Sequence, residues 1–129
     1  MIIGIDVGGS TTKIVGLEDG EIRSPQFITA ADPITSLFGA FGKYIYDNGI
    51  DLRSVDQVML TGVGSAYIEG SLYGLPTAKT DEFMANALGA RYRSGLDRMI
   101  VVSMGTGTSF IRVDGDTIEH LGGLAIGGG

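Results

Sequence analysis

The stretch IGIDVGGSTTK, residues 3–13, joins an apolar run to a turn of glycines, hydroxyl side chains and one lysine. The apolar run over residues 1–6 is typical of a strand that is covered on both faces. Gly8 and Gly9 allow backbone N–H groups to converge on an anion, while the hydroxyls and Lys13 supply further donors and a positive charge. The stretch therefore predicts either a phosphate-binding loop or an ordinary glycine hairpin, and its residues alone leave both open.

Asp6 ends this first strand and is expected to face the same turn. A carboxylate there could hold Mg²⁺, directly or through water, or it could make a local hydrogen bond within the turn. The GxxxxGK[ST] spacing of a Walker loop is absent, and a strand rather than a helix follows the turn. If the turn binds phosphate, it therefore does so in another way.

The residues after the turn predict alternating strands and helices. Asp19-Gly20 separates two strand-like runs, so the chain opens with a three-strand meander. A capped helix follows from Asp32-Pro33 to Asn48-Gly49. Its apolar residues recur at helical spacing: Ile34, Leu37, Phe38, Phe41 and Ile45.

The second half of the chain continues the same alternation. Residues 56–62 predict a strand that runs into a Gly-x-Gly turn, and residues 74–80 hold a short fifth strand. Residues 81–95 predict a second helix, and a buried strand begins near residue 98. These elements indicate an α/β fold.

The opening motif has a second copy. MIVVSMGTGTSFIRVDGDTI, residues 99–118, repeats the order of features in residues 1–22: an apolar run, a polar glycine turn, a second run, Asp-Gly and a strand ending in Ile. The second turn, MGTGTS, has neither an acid nor a lysine. Two such loops facing across a cleft would bind a polyphosphate from both sides. We therefore expect a first lobe over residues 1–96 and the start of a second lobe, part of a longer protein, over residues 97–129.

Composition excludes several classes of function. The 129 residues carry a net charge of −6, so the basic face of a non-specific nucleic-acid binder is not expected. The sequence contains 22 glycines, placed at the ends of apolar runs, and no cysteine, so it offers no disulfide, thiolate metal site or catalytic thiol. No apolar run approaches the roughly 18 residues of a membrane span. A soluble, cytoplasmic protein with no membrane partner is expected.

Two isolated residues are further candidates. Glu82 follows Thr80 and Asp81 at the start of the second predicted helix, where the helix dipole favours acids. Alternatively, one of these acids is a general base that takes a proton from a substrate hydroxyl. His120 is the only histidine, and it is either a surface or packing residue or a group that helps to bind an anion.

With these residues in view, the sequence resembles a known superfamily. IGIDVGGSTTK and VSMGTGTS are similar to the two phosphate loops of the actin, sugar kinase and heat-shock chaperone ATPases. That actin-like, ribonuclease H-like fold has two lobes, each beginning with a three-strand meander, and binds ATP with Mg²⁺ between them. Within it, the chain most resembles type II pantothenate kinases, which carry a similar opening loop, a DEF- or VEF-like helix start, GTGTS and a GG…GGG segment. The corresponding residues here lie in the same order and cover residues 1–129: residues 81–83, 105–109, 122–123 and 127–129.

The resemblance implies a role for each matched residue. Asp6 would place Mg²⁺, and Glu82 would activate the pantothenate hydroxyl for attack on the γ-phosphate of ATP. The first phosphate loop would consist of Gly8, Gly9, Ser10, Thr11, Thr12 and Lys13. The second loop and the glycines of the nucleotide cleft would be Gly105, Thr106, Gly107, Thr108, Ser109, Gly127, Gly128 and Gly129. Substrate contacts would come from Ser103, His120 and Gly122.

The implied reaction is the first step of coenzyme A biosynthesis, in a full-length protein that is a homodimer. The chain departs from the family at His120, where relatives often carry an arginine that binds the acidic substrate; a histidine is a weaker carboxylate anchor. Family members are also longer, with second-lobe helices and much of the purine site beyond residue 129. We therefore expect no useful kinase turnover from this chain alone.

Three other readings remain open. Activators of 2-hydroxyacyl-CoA dehydratases have a very similar first loop, but they are ATPases that bind an iron–sulfur cluster through cysteines. Sugar kinases of the repressor–kinase family are faintly similar in DEFMANALGA, residues 81–90. An actin-like module that binds ATP and changes shape, without transferring phosphate to a small molecule, is the non-enzymatic alternative.

Overall fold

The computed structural model describes residues 1–29 and 32–127, which form two units, Met1–Thr80 and Asp81–Gly129. The predicted boundary lies later, after residue 96, and the difference is the second helix. That helix packs on the strands of the second unit, so the structure groups it with them. No helix among the described residues is long and apolar enough to span a membrane.

The first unit is built on a five-stranded mixed sheet. Its strands are β1 (Ile2–Val7), β2 (Thr11–Glu18), β3 (Glu21–Thr29), β4 (Gln57–Thr61) and β5 (Thr77–Lys79). The first three form the predicted antiparallel meander, β4 lies parallel to β1, and β5 lies parallel to β4, giving the order β3-β2-β1-β4-β5. Because β1, β4 and β5 run in one direction, their carboxyl ends share one edge of the sheet.

The core of the first unit lies on one face of this sheet, under α1 (Pro33–Asn48). Strand alternation sends Ile3, Ile5 and Val7 of β1 into the core, where each is at most 2% exposed. Leu37 and Phe41 of α1 pack with them. Since the period is two, Asp6 falls on the opposite face.

The predicted ends of α1 are confirmed. The Asp32 carboxylate accepts a hydrogen bond from the Thr35 amide (2.6 Å), Pro33 takes the first helical position, and Gly49 ends the helix at a φ of 61°. The amide donor favours the ionised carboxylate and holds the pKa of Asp32 below its ordinary value.

The second unit consists of a helix and a three-stranded antiparallel sheet. Its elements are α2 (Glu82–Ser94), β6 (Arg98–Met104), β7 (Thr108–Asp114) and β8 (Thr117–Leu124), and the strand order is β6-β7-β8. On one face, Ala87 of α2 packs against Ile111 and Val113, which are at most 2% exposed. β8 is longer than the strand expected to end at Ile118, because it continues pairing with β7 beyond a bulge at Phe110 and Ile111.

The other face of the second sheet is apolar and exposed. Ile100, Val102 and Met104 alternate along β6 with residues that face α2, and they are 45–71% exposed. Leu124 of β8 lies on the same face, opposite Thr108, which pairs with Met104. Among the described residues, α2 therefore covers only one side of this sheet.

Candidate phosphate and acceptor sites

The first predicted loop is a tight turn between β1 and β2. The Gly8 amide donates to the Thr11 carbonyl oxygen (3.1 Å), and a Cβ atom at Gly8 would lie 2.7 Å from that same oxygen. A side chain at this position would therefore force the turn open. Gly9 and Ser10 are exposed, with nothing near the missing side chain of Gly9. The loop is a glycine turn with an open outer side, as both sequence interpretations require.

Asp6 and Lys13 pair directly across the two strands. They are register partners on the sheet face opposite α1, and Lys13 Nζ lies 2.6 Å from Asp6 Oδ2. The Asp6 side chain is 25% exposed and that of Lys13 52%, so both charges are reached by solvent. Thr12 lies between them in sequence but faces the core at 1% exposure, which leaves only its backbone for the loop.

The turn after β4 lies against the end of β1. Gly62 has a φ of 84° and a ψ of 162°, and a Cβ there would overlap Asp6 Oδ1 and approach the Val7 carbonyl oxygen to 2.6 Å. A Cβ at Gly64 would overlap the Val7 side chain and lie 3.1 Å from that of Pro33. The predicted Gly-x-Gly turn is therefore a close backbone approach beside Asp6.

Thr61, the last residue of β4, is a residue of this edge that sequence reasoning missed. It is the register partner of Asp6 in the parallel pair β1–β4, so the two side chains lie on the same face of the sheet. Its Oγ1 atom is buried and has no hydrogen-bond partner within residues 1–29 and 32–127. The parallel pairing of β4 with β1 is what brings Thr61 beside Asp6, and no local sequence signal indicates it.

The two acids at the start of α2 have different surroundings. Asp81 Oδ1 accepts hydrogen bonds from the amides of Phe83 (2.9 Å) and Met84 (3.0 Å), so this carboxylate caps the helix. Glu82 is exposed, and its carboxylate makes no hydrogen bond or ion pair in the described part of the chain. Of the two carboxylates, that of Glu82 is the one not engaged in capping the helix.

The residues beside Glu82 reach two of the predicted substrate contacts. The Phe83 ring stacks on the His120 imidazole, with 3.9 Å between ring centroids and 9° between the planes. One helical turn beyond Glu82, Asn86 Nδ2 donates to Ser103 Oγ (3.2 Å). The start of α2 thus lies over His120 of β8 and Ser103 of β6. Sequence reasoning missed Asn86, although its spacing of four residues from Glu82 places both on one side of the helix.

The second predicted loop lies between β6 and β7. Its Gly105 amide donates to the Gly107 carbonyl (2.8 Å), and Thr106 is exposed. The chain beyond β8 returns to this loop: Thr108 Oγ1 donates to the Ile126 carbonyl (2.7 Å), and a Cβ at Gly127 would overlap the carbonyl oxygens of the loop.

The pairing of β7 with β6 and β8 places other predicted residues of the second unit. Ser109 is the register partner of both Ser103 and Gly123. Gly122 lies opposite Phe110 with a φ of 140°, at the β8 bulge. The predicted contacts at Gly128 and Gly129 lie outside the described residues.

The chemistry of the first site fits a magnesium–phosphate ligand. Mg²⁺ is usually bound through one or two carboxylates together with phosphate oxygens and water, and Asp6 supplies one such carboxylate. Lys13, the glycine turn and the Ser10 hydroxyl supply the donors that phosphate oxygens need. Within the described ranges no three His, Cys, Asp or Glu side chains converge to hold a metal without such a ligand.

Comparison with known sequences gives distant relatives. No protein-family model matches the chain. An uncharacterized protein of Methanocaldococcus jannaschii is 32% identical over 90 residues, which cover 70% of this chain and 21% of that protein. A type II pantothenate kinase of Bacillus cereus is 27% identical over 137 aligned positions, which cover 98% of this chain and 45% of the kinase. The chain thus spans less than half the length of the curated relatives it matches.

Comparison with solved structures defines the fold. The activator of 2-hydroxyisocaproyl-CoA dehydratase from Clostridium difficile, with bound ADPNP, matches with a TM-score of 0.77 and 19% identity over 95% of this chain and 44% of the activator. A ROK family glucokinase from Streptomyces griseus, in complex with glucose and AMPPNP, matches with a TM-score of 0.64 and 19% identity over 92% of this chain and 46% of the glucokinase. The chain has the actin-like ATPase fold, as the sequence predicts.

Proposed function

We propose that this chain is part of an ATP-dependent phosphotransferase whose acceptor is the hydroxyl group of pantothenate. The observation that carries the proposal is the free carboxylate of Glu82, which begins α2 beside the Phe83–His120 stack. An ATPase that transfers phosphate to water has no need of a separate acceptor site, whereas a kinase needs a base next to one. The similarity to a type II pantothenate kinase, whose alignment covers 98% of this chain, supports pantothenate as the acceptor.

The first unit would bind the phosphates of ATP. Backbone amides of the glycine turn, the hydroxyls of Ser10 and Thr11, and the ammonium of Lys13 are donors for phosphate oxygens. Asp6 would hold Mg²⁺, which when bound neutralises charge on the phosphates. The ion pair between Lys13 and Asp6 (2.6 Å) would then open or weaken, because Lys13 would pair with phosphate oxygens and Asp6 with Mg²⁺. Both side chains are partly exposed, so this exchange needs no unfolding.

The second unit would supply the acceptor chemistry. Glu82 takes the proton of the pantothenate hydroxyl as the hydroxyl oxygen forms a bond to the γ-phosphorus of ATP. At the same time the bond between that phosphorus and the β,γ-bridging oxygen breaks, which releases ADP. Asn86 holds the Ser103 hydroxyl at 3.2 Å, which orients it toward the acceptor. His120, kept in place by Phe83, is the candidate contact for the pantothenate carboxylate.

The test is ATP-dependent ADP release with pantothenate, with glucose and with no acceptor. It is run on this chain and on the longest polypeptide that contains this sequence. We expect pantothenate alone to stimulate release in the longest form, with phosphopantothenate detected by mass spectrometry. Stimulation by glucose would instead favour a sugar kinase, and release that no acceptor changes would favour an ATPase such as a dehydratase activator. Either result would contradict the proposal.

Variants of the two adjacent acids separate catalysis from helix capping. Glu82→Gln removes the base and is expected to lower kcat by about 10²- to 10⁴-fold, the usual contribution of general base catalysis. Asp81→Asn is the matched control, because asparagine caps a helix as well as aspartate does. We expect it to retain activity. Equal losses in the two variants would show that the helix start matters and that Glu82 is not the base.

A further inference from the structure

We propose that Thr61 is a third ligand-contacting residue of the first site, whose hydroxyl hydrogen bonds to an oxygen of the ligand held between Asp6 and the glycine turn. This inference rests on the proposed function only in taking magnesium–ATP as that ligand. It assigns a residue outside both predicted loops to the site.

The Thr61 hydroxyl is buried and unsatisfied among the described residues. Its Oγ1 atom is buried and, in the part of the chain that the structure describes, has no hydrogen-bond partner. A buried hydroxyl normally finds a partner, because leaving it unpaired loses the bonds that water would have made. An unpaired group that persists in a fold calls for a reason, and a role in binding a ligand is one.

The hydroxyl belongs to a residue that lies beside Asp6 in the sheet. Thr61 is paired in register with Asp6 on the parallel strand β4, and adjacent strands are about 4.8 Å apart. Asp6 in turn is the cross-strand partner of Lys13 on β2. Three neighbouring strands thus bring a hydroxyl, a carboxylate and an ammonium to one face of one sheet edge. The hydroxyl and the ammonium can donate hydrogen bonds to phosphate oxygens, whereas the carboxylate can bind a cation or accept from water. Together they suit a magnesium–phosphate ligand.

The backbone that follows Thr61 carries no side chain. Gly62 lies so close to Asp6 Oδ1 and the Val7 carbonyl that no side chain fits there. Its φ of 84° follows Thr61, which is the last residue of β4. The last side chain of β4 therefore stands beside Asp6 with no bulky neighbour between them.

Another buried polar atom without a hydrogen-bond partner in the described residues offers a matched control. Gln26 Oε1 is also buried without a partner, but Gln26 lies on edge strand β3, opposite Ile14, whose side chain faces the core. A buried hydroxyl or amide that is merely unsatisfied can be replaced by an apolar group of the same shape at little or no cost in stability. That expectation applies to both positions, whereas a role in ligand binding applies only to Thr61.

The experiment measures the dissociation constant of a non-hydrolysable ATP analogue, together with the urea unfolding midpoint. It is done on this chain and on the longest polypeptide that contains it, for the wild type, Thr61→Val, Thr61→Ser and Gln26→Leu. Each titration is made with Mg²⁺ and again with EDTA. Thr61→Val keeps the shape and removes the hydroxyl, and Thr61→Ser keeps the hydroxyl.

We expect Thr61→Val to bind the analogue about tenfold more weakly while its unfolding midpoint is unchanged or higher, and Thr61→Ser and Gln26→Leu to bind like the wild type. If the loss disappears in EDTA, the hydroxyl contacts water bound to Mg²⁺; if it persists, the hydroxyl contacts a phosphate oxygen. Unchanged binding by Thr61→Val, or equal losses in Thr61→Val and Gln26→Leu, would overturn the inference alone. A wild type that does not bind the analogue in any form would overturn the proposed function as well.

Discussion

Replacing Gly62 by alanine should damage both the stability of the first unit and the site beside it. The residue has a φ of 84° and a ψ of 162°, a region that is essentially restricted to glycine and costs other residues about 1–3 kcal/mol. The added Cβ would also overlap Asp6 Oδ1 and lie 2.6 Å from the Val7 carbonyl oxygen, and overpacking of this kind costs about 1–3 kcal/mol. Together these terms predict a loss of about 2–6 kcal/mol, a large share of the roughly 5–15 kcal/mol that stabilises a typical domain.

Gly70→Ala is the matched control for this substitution. Gly70 has a similar φ of 78°, but nothing lies within 4 Å of the Cβ atom that alanine would add. It should lose only the cost of a positive φ, about 1–2 kcal/mol. Urea unfolding of both variants gives the two free energies. A loss in Gly62→Ala no larger than that in Gly70→Ala would refute the close approach of the β4 turn to Asp6.

Two further predictions concern the helix cap and the second sheet. Because the pKa of Asp32 is lowered in the fold, its bond to the Thr35 amide stabilises the fold above the ordinary aspartate pKa of about 3.9, and this stabilisation is lost as the pH falls through the lower folded-state value. Asp32→Asn should keep the cap but reduce the fall in melting temperature with acid, measured in thermal melts from pH 2 to 7. An unchanged fall in the variant would contradict this prediction. In the second unit, Ile111→Ala should lower the free energy of unfolding by about 2–5 kcal/mol, because Ile111 is fully buried under α2. Ile100 lies on the other face of the sheet and is 54% exposed, so Ile100→Ala should cost far less. Equal losses in chemical denaturation would show that the two faces are misassigned.

The sequence predicts most of this fold because its signals are local. The Asp19-Gly20 hairpin, the Asp32 cap and the Gly49 helix end each depend on a few adjacent residues, and the structure has all three. The repeated meander is also visible as a pattern. The repeat of the opening meander predicts a last strand only as far as Ile118, whereas pairing with β7 keeps residues as far as Leu124 in the strand.

The candidate sites were less accessible from the sequence, because they depend on contacts between distant residues. Thr61 is placed beside Asp6 by parallel strand pairing across more than fifty residues, which no local pattern encodes. Likewise, only packing of α2 on β8 and β6 brings Phe83 to His120 and Asn86 to Ser103. What the sequence did provide was a choice between Asp81 and Glu82, and the capping bonds of Asp81 favour Glu82 as the base.

We propose that Asp6 and the glycine turn bind ATP through Mg²⁺. The most direct measurement is the ratio of ATP dissociation constants in EDTA and in Mg²⁺, determined by calorimetry for the wild type and for Asp6→Asn on the longest polypeptide that contains this sequence. Our account predicts a ratio well above one for the wild type and close to one for Asp6→Asn, since asparagine keeps the shape but loses the charge that holds the metal. A wild type whose affinity for ATP does not depend on Mg²⁺, or an Asp6→Asn variant with the same ratio as the wild type, would contradict this role of Asp6.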